Sequence, residues 1–180
     1  METSNIFLNA EQLLAHIQAL AAIGADPVNG GRTRLALTDD EKAGRDLVVQ
    51  WMRELQLEVR IDRIGNILGI LHGADQGAGL QPLMIGSHID TVCNAGALDG
   101  CYGVLAGLAV VRAYRAAGVT PARAIVVAAF SPTRKGGLRY QPDMMGSLDL
   151  IAGGAFAASH ARYHRLRRHA SWVERKTSRA

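Results

Sequence analysis

Three apolar segments between Leu83 and Phe130 decide the fold: LMIG (Leu83–Gly86), GVLAGLAVVRAYRAA (Gly103–Ala117) and AIVVAAF (Ala124–Phe130). The first and third are short apolar runs, which are typical of strands buried on both faces. The middle segment is longer and almost continuously apolar, so it predicts a buried helix. A strand, a helix and a strand in this order predict an α/β fold.

The residues before this region predict two amphipathic helices. Apolar positions recur at helical spacing over residues 10–23, directly after Asn9, which is a candidate N-cap. A second helix is predicted after Thr38, because Glu41 follows that candidate cap by three residues and acidic side chains fill the first turn.

A hairpin is predicted after the second helix. LEVRI (Leu57–Ile61) and ILGIL (Ile67–Leu71) each have the length and composition of a strand, and Gly65-Asn66 lies between them. Glycine and asparagine tolerate the backbone conformations that tight turns require, so the two segments are expected to pair antiparallel.

Length and composition place the chain among globular proteins. It has 180 residues, of which 48% are hydrophobic and 20% charged, enough for about one domain with its own core. The first residues lack the basic and apolar regions of a secretory signal, and no apolar run approaches the roughly 20 residues of a membrane span. We therefore expect a cytoplasmic protein with no membrane partner, in which Cys93 and Cys101 are reduced thiols.

The balance of basic and acidic residues changes near residue 130. Residues 1–130 carry 10 basic and 13 acidic side chains, whereas residues 131–180 carry 10 basic and 3 acidic ones. Residues 159–180 show no apolar period, so we expect a basic tail that is disordered or out of frame. This tail leaves open an alternative function, a non-catalytic binding module that holds an anionic partner. Nucleic acid is not the expected partner, because only 5% of residues are aromatic.

Candidate site residues lie in GSHIDTV (Gly86–Val92) and NAGALDG (Asn94–Gly100), at the end of a predicted buried strand. Strand ends are where binding sites form in α/β sheets. In an extended chain His88 and Asp90 share one face, so the carboxylate would orient the imidazole, and Asp99 would approach from the loop. Spacing alone leaves open a solvated polar pair without a ligand, because a hydrolytic zinc site needs three protein ligands.

The run GSHIDTVCNAGALDGCYGVLAGLAVV (Gly86–Val111) resembles the first metal motif of zinc-dependent amidohydrolases that cleave N-carbamoyl-L-amino acids, allantoate or β-ureidopropionate. Residues 30–69 (GGRTRLALTDDEKAGRDLVVQWMRELQLEVRIDRIGNILG) and 137–148 (GLRYQPDMMGSL) resemble further parts of this family, so the likeness spans residues 5–148. The resemblance implies a three-layer α/β sandwich with a mixed, mostly parallel sheet. Residues 1–158 would be the N-terminal part of its catalytic domain.

The resemblance also implies roles for the site residues. His88 would bind one of two divalent ions, zinc or manganese, Asp99 would bridge the two, and Asp90 would orient His88. The implied reaction is hydrolysis of a small ureido substrate, in which a Glu acts as general base and ammonia, carbon dioxide and the free amino acid leave. The family forms homodimers through a dimerisation and lid domain, which we do not expect within these 180 residues.

The chain departs from the family pattern after the last predicted strand. There the family has Thr-Asn-Glu-Glu-Gly, whose first Glu is the general base and whose second binds metal, whereas this chain reads SPTRKG (Ser131–Gly136). The two carboxylates would fall at Thr133 and Arg134, and an arginine would bring positive charge to the metals. The resemblance therefore implies an inactive chain with a partial metal site. We do not expect replacement ligands among the three later histidines, His160, His164 and His169.

A disturbance of the reading frame would explain this departure. Ser131–Gly136 can be encoded as TCA CCA ACG AGG AAG GGG, and the same nucleotides read from the third position give Thr-Asn-Glu-Glu-Gly. A second disturbance would explain the basic tail, which begins after the likeness to the family ends. We therefore predict a frameshift, with the family motif present in a neighbouring frame of the gene.

Overall fold

The computed structural model describes residues 6–74 and 80–131, together with 146, 147 and 150. Every helix and strand predicted from the sequence is present, with small differences at the ends. In chain order the elements are α1 (Ala10–Ala21), α2 (Asp39–Glu54), β1 (Glu58–Ile61), β2 (Ile67–Leu71), β3 (Leu83–His88), α3 (Cys101–Ala116) and β4 (Ile125–Phe130).

Several sequence predictions concern residues outside the described ranges. They are the basic tail over residues 159–180, the altered motif beyond Ser131, including Thr133 and Arg134, and the histidines His160, His164 and His169. Within the described ranges, every helix is too short or too polar to cross a lipid bilayer.

Both predicted N-caps are confirmed. Oδ1 of Asn9 accepts a hydrogen bond from the backbone N of Gln12 at 2.9 Å, and α1 begins at Ala10, directly after Asn9. Oγ1 of Thr38 accepts from the backbone N of Glu41 at 3.3 Å, and Oε2 of Glu41 accepts from the backbone N of Leu37. These bonds satisfy amides that have no partner inside a helix, which explains why both helices begin where the sequence indicates.

The four strands form one mixed sheet in the order β1-β2-β4-β3. The predicted hairpin is confirmed, since β1 and β2 pair antiparallel. Strand β4 pairs antiparallel with β2 and parallel with β3. The mixed sheet is thus confirmed, but parallel pairs are the minority among the described strands. The hairpin brings β2 into the sheet in the opposite direction to β4, whereas the crossover through α3 lets β3 and β4 run parallel.

Helices α1, α2 and α3 lie on one face of this sheet. Gly69 of β2 is paired with Val127 of β4, so both face the same side. A Cβ on Gly69 would lie 2.8 Å from Sδ of Met52 in α2, and one on Gly107 in α3 would lie 3.1 Å from Val127. Helix α1 packs against α3. The α/β class is therefore confirmed.

Candidate metal site

The candidate site lies where β3 ends beside β4 and the chain leads into α3. His88 is the last residue of β3, and Asp99 and Gly100 immediately precede α3. The carboxyl end of a parallel strand is the usual position of binding sites in open α/β sheets. The structure therefore brings the predicted site residues to one end of the sheet.

His88 and Asp90 are in direct contact. The Nδ1 atom of His88 lies 2.8 Å from the backbone O of Asp90 and 3.3 Å from its Oδ1. Both neighbours of Nδ1 are acceptors, so this nitrogen carries the hydrogen and the lone pair remains on Nε2, as a metal ligand requires. The contact between His88 and Asp90 was predicted; because β3 ends at His88, Asp90 lies just beyond the strand.

Gly100 provides the surface against which the His88 ring lies. Its backbone has φ +72°, a conformation that L side chains rarely adopt, and a Cβ on Gly100 would overlap the imidazole atoms. A glycine is therefore required here for two reasons, backbone conformation and close approach. Gly100 was not predicted as a site residue from the sequence.

Asp99 is held beside this ring by the start of α3. Its backbone N donates to the O of Gly96 at 3.2 Å, and its backbone O accepts from the N of Cys101 at 2.9 Å. Oδ2 of Asp99 lies 3.5 Å from the backbone N of Val92, across the same loop. Asp99 is half-buried, so its carboxylate is oriented by the loop while staying partly open to solvent.

The electrostatic environment of His88 favours positive charge on the imidazole. Burial by itself lowers the pKa of His88, but the hydrogen bonds and charge of Asp90, with the charge of Asp99, raise this pKa above its ordinary value. A proton or a bound metal ion would supply that positive charge.

Cys101, next to Asp99 and Gly100, differs from the site residues in its chemistry. Burial raises the pKa of its thiol, and Sγ donates to the O of Ala97 at 3.1 Å. A protonated, hydrogen-bonded thiol is a poor metal ligand. Both Cys101 and the exposed Cys93 are free cysteines, as the sequence predicts.

Arg34 is a buried residue that contacts both neighbours of Asp90, and it was not predicted as a site residue from the sequence. Its side chain is 1% exposed, and its Nε donates to the O of Ile89 at 2.8 Å. Two further hydrogen bonds join Arg34 and Thr91. The backbone N of Arg34 donates to the side-chain Oγ1 of Thr91 at 2.7 Å, and the backbone N of Thr91 donates to the backbone O of Arg34 at 2.8 Å. Arg34 therefore holds both neighbours of Asp90. Its position in the predicted loop before α2 gave no local signal of this contact.

Asn66 is a second buried polar residue that sequence reasoning did not assign to the site. Its Oδ1 accepts from the backbone N of Ser131 at 2.9 Å, directly after β4. Its Nδ2 donates to Asp62 Oδ2 at 2.7 Å and to the O of Gly146 at 3.0 Å. Asn66 thus ties the hairpin turn to the place where the altered motif begins.

The described residues contain two candidate metal ligands. No group of three or more His, Cys, Asp or Glu side chains within them is arranged to hold a metal ion. The imidazole Nε2 of His88 and the carboxylate of Asp99 have suitable chemistry for two ligands of a zinc-like ion. The described part of the chain therefore fits such an ion as a half-site.

The chain is similar in sequence to known proteins. Residues 66–132 match the family described as Peptidase family M28. The chain is 39% identical over 140 residues to an N-carbamoyl-L-amino acid amidohydrolase of Geobacillus stearothermophilus, covering 78% of this chain and 33% of that enzyme. It is 41% identical over 93 residues to an allantoate amidohydrolase of Bacillus subtilis (strain 168), covering 52% and 22% of the two chains.

Structural comparison gives the same result. A crystal structure of a hydantoinase/carbamoylase family amidase from Burkholderia ambifaria matches with a TM-score of 0.76 and 38% identity, covering 82% of this chain and 35% of that one. The resemblance inferred from the sequence and its fold class are confirmed. The chain spans about a third of the length of these amidohydrolases.

Proposed function

Because the chain matches N-carbamoyl-L-amino acid amidohydrolases in sequence and fold over a third of their length, we propose that it carries the first metal half-site of a metal-dependent amidohydrolase. The bonds cleaved by such an enzyme would be linear carbon–nitrogen bonds other than peptide bonds, in a small ureido substrate. The observation that carries this proposal is the arrangement of His88 and Asp90 around Gly100, with Asp99 beside them.

In this proposal His88 would hold one ion through Nε2, and Asp99 would supply a carboxylate shared by two ions. A divalent metal would polarise the substrate carbonyl and lower the pKa of a water molecule. The chain's own contribution is orientation: Asp90 holds the His88 hydrogen on Nδ1, and Gly100 lets the ring lie against the start of α3. These contacts keep Nε2 available in a fixed direction.

We further propose that the chain with its present sequence binds metal weakly and does not hydrolyse ureido substrates. The motif after β4 lacks the two carboxylates that the resemblance implies, since Thr133 and Arg134 stand in their places. Without a general base, proton transfer from the attacking water loses a contribution of about 10²–10⁴-fold. The positive charge of Arg134 also opposes the binding of a cation.

Metal titration tests this proposal. Zn²⁺ and Mn²⁺ would be titrated in competition with a chromophoric chelator, using the wild-type chain, His88→Ala and Asp99→Asn. We expect each substitution to weaken binding by about tenfold or more, because each removes one of two ligands. An unchanged affinity in His88→Ala would contradict the metal assignment.

A gain-of-function variant tests the altered motif. The double substitution Thr133→Glu with Arg134→Glu should tighten metal binding by about tenfold or more, since it adds a ligand and removes a repelling charge. The control is Arg63→Glu, which makes a similar change of charge at an exposed position of the hairpin turn. Release of ammonia from N-carbamoyl amino acids by the wild-type chain would show that the missing carboxylates are not needed.

A further inference from the structure

We propose that Arg34 is a positioning residue for the metal half-site, which it stabilises by holding Ile89 and Thr91 on either side of Asp90. This inference rests on the proposed function, because it concerns how His88 and Asp90 are prepared to bind a metal. The described hydrogen bonds of Arg34 go to Leu20, Ile23, Ile89 and Thr91 and not to the imidazole, so its effect is transmitted through the loop over residues 89–91.

The contacts of Arg34 with the loop are numerous and short. The guanidinium Nε donates to the O of Ile89 at 2.8 Å. The backbone N of Arg34 donates to Oγ1 of Thr91 at 2.7 Å, and the backbone N of Thr91 donates to the O of Arg34 at 2.8 Å. Three hydrogen bonds thus fix the residues before and after Asp90. The backbone O of Asp90, which receives Nδ1–H of His88, has little freedom to move.

The other end of the guanidinium is fixed as well. Nη1 of Arg34 donates to the O of Leu20 at 2.9 Å and to the O of Ile23 at 3.0 Å, at the end of α1. The side chain crosses α2 at Gly44, where an added Cβ would lie 2.9 Å from Cδ of Arg34. Arg34 therefore connects the loop over residues 89–91 to helices α1 and α2. Movement of the loop would have to break bonds at both ends of one buried side chain.

An arginine is required here for its charge as well as its shape. Asp90 is 2% exposed, and a buried carboxylate needs nearby positive charge or hydrogen-bond donors. Arg34 and Asp90 interact electrostatically across the loop, as do Arg34 and Glu41 of α2. The planar guanidinium has five donors, so one side chain can donate hydrogen bonds to carbonyls of α1 and of the loop together. A lysine cannot do this with the same geometry.

The consequence of losing Arg34 follows from these contacts. The O of Ile89 would lose its donor and Asp90 its nearby positive charge, so the loop would relax. Nδ1 of His88 would then meet acceptors that are less well placed, and Nε2 would point in a less defined direction. Changes to groups that orient a metal-binding histidine reduce affinity by about 10- to 100-fold.

The test compares Arg34→Met with Arg45→Met in the full chain. Arg45 is the matched control, because it is also buried, donates to the backbone O of Gly65 and pairs with Glu41; its described hydrogen bonds do not reach residues 89–91. Zn²⁺ affinity would be measured by chelator competition at a temperature at which every variant is folded. We expect Arg34→Met to weaken binding by about tenfold or more and Arg45→Met to leave it unchanged. Equal affinities in the two variants would overturn the proposal.

A second pair of variants applies if Arg34→Met does not fold. Thr91→Val removes the hydroxyl that accepts from Arg34 N while keeping the shape, and Thr91→Ser keeps the hydroxyl. We expect Thr91→Val to bind Zn²⁺ several-fold more weakly and Thr91→Ser to match the wild type. Equal affinities in Thr91→Val and Thr91→Ser would also overturn the proposal.

A metal-free readout separates positioning from general loss of stability. The ring nitrogens of His88 can be followed by nuclear magnetic resonance, and the Nδ1–H signal should broaden or exchange faster in Arg34→Met and Thr91→Val only. His88→Ala distinguishes this inference from the proposed function. If His88→Ala binds Zn²⁺ like the wild type, the assignment of the metal site is wrong. If Arg34→Met binds Zn²⁺ like the wild type while His88→Ala does not, only the positioning role is wrong.

Discussion

Oδ1 of Asp90 lies 3.3 Å from Nδ1 of His88, while the backbone O of the same residue lies 2.8 Å from that nitrogen. One residue therefore supplies two acceptors to one imidazole N–H, and only one of the two depends on the side chain. The backbone acceptor maintains the tautomer, and the carboxylate adds negative charge that favours a cation on the ring.

Asp90→Asn is therefore expected to reduce metal affinity without abolishing it. The amide keeps the size of the side chain and an oxygen acceptor but removes the charge, so we expect Zn²⁺ binding to weaken by about tenfold. Chelator competition measures this change. Asp40→Asn, which neutralises an exposed carboxylate at the start of α2, is the control and should bind like the wild type. A loss of the same size in both variants would indicate a general charge effect.

Gly100→Ala is expected to displace the His88 ring. The substitution places a methyl group where the imidazole lies and forces alanine into a backbone conformation with φ +72°. We expect the free energy of unfolding to fall by about 1 kcal/mol or more and Zn²⁺ affinity to fall by about tenfold. Chemical denaturation and metal titration measure the two effects separately.

Gly118→Ala is the matched control for this substitution. Gly118 also has a positive φ, +64°, but its Cβ position has no described atom within 4 Å. The backbone cost, about 1 kcal/mol, should therefore be similar in the two variants, whereas only Gly100→Ala should affect the metal. If Gly118→Ala weakens Zn²⁺ binding equally, contact with the ring is not the cause.

Local sequence signals were sufficient for most of the secondary structure. Asn9 and Thr38 mark helix starts because their side chains bond amides within three residues, and the hairpin over residues 58–71 needs only its own turn and strands. The pairing of β2 with β4 has no local signal. It brings together residues that are far apart in the chain, and because this pair is antiparallel, one of the three described strand pairs is parallel.

The sequence indicates the candidate ligands but not the residues that support them. His88, Asp90 and Asp99 lie close together in the chain, within residues 88–99, so their spacing and the family motif indicate them directly. Arg34 and Ile89 are 55 positions apart, and Asn66 and Ser131 are 65 apart. Only tertiary packing brings such pairs together, and an arginine or asparagine in a predicted loop is ordinarily a solvated residue.

Asn66→Ala is expected to destabilise the fold. Asn66 is fully buried, and its removal would leave the backbone N of Ser131 and the O of Gly146 without their partner. We expect the free energy of unfolding to fall by about 1–3 kcal/mol for this loss. Urea denaturation measures it. Asn29→Ala removes two side-chain hydrogen bonds at an exposed turn and should cost less; an equal cost would show that burial of Asn66 is not decisive.

The imidazole of His16 is expected to make the free energy of unfolding depend on pH. It stacks on Trp51 with 4.2 Å between ring centroids, and burial together with the charge of Arg112 lowers the pKa of His16 below 6.5 despite the charge of Glu54. The unfolded chain therefore binds a proton at His16 at a higher pH than the folded chain does. The free energy of unfolding should fall as pH is lowered from 6.5 toward the folded-state pKa, and His16 should add no further change below it.

His16→Phe isolates this contribution, since phenylalanine keeps a ring on Trp51 and does not titrate. Urea denaturation above and below pH 6.5 should show a smaller loss on acidification in His16→Phe than in the wild type. Arg112→Met removes one cause of the lowered pKa and should reduce the loss in the same direction. Equal losses in wild type and His16→Phe would mean that His16 has the same pKa in the folded and unfolded chains.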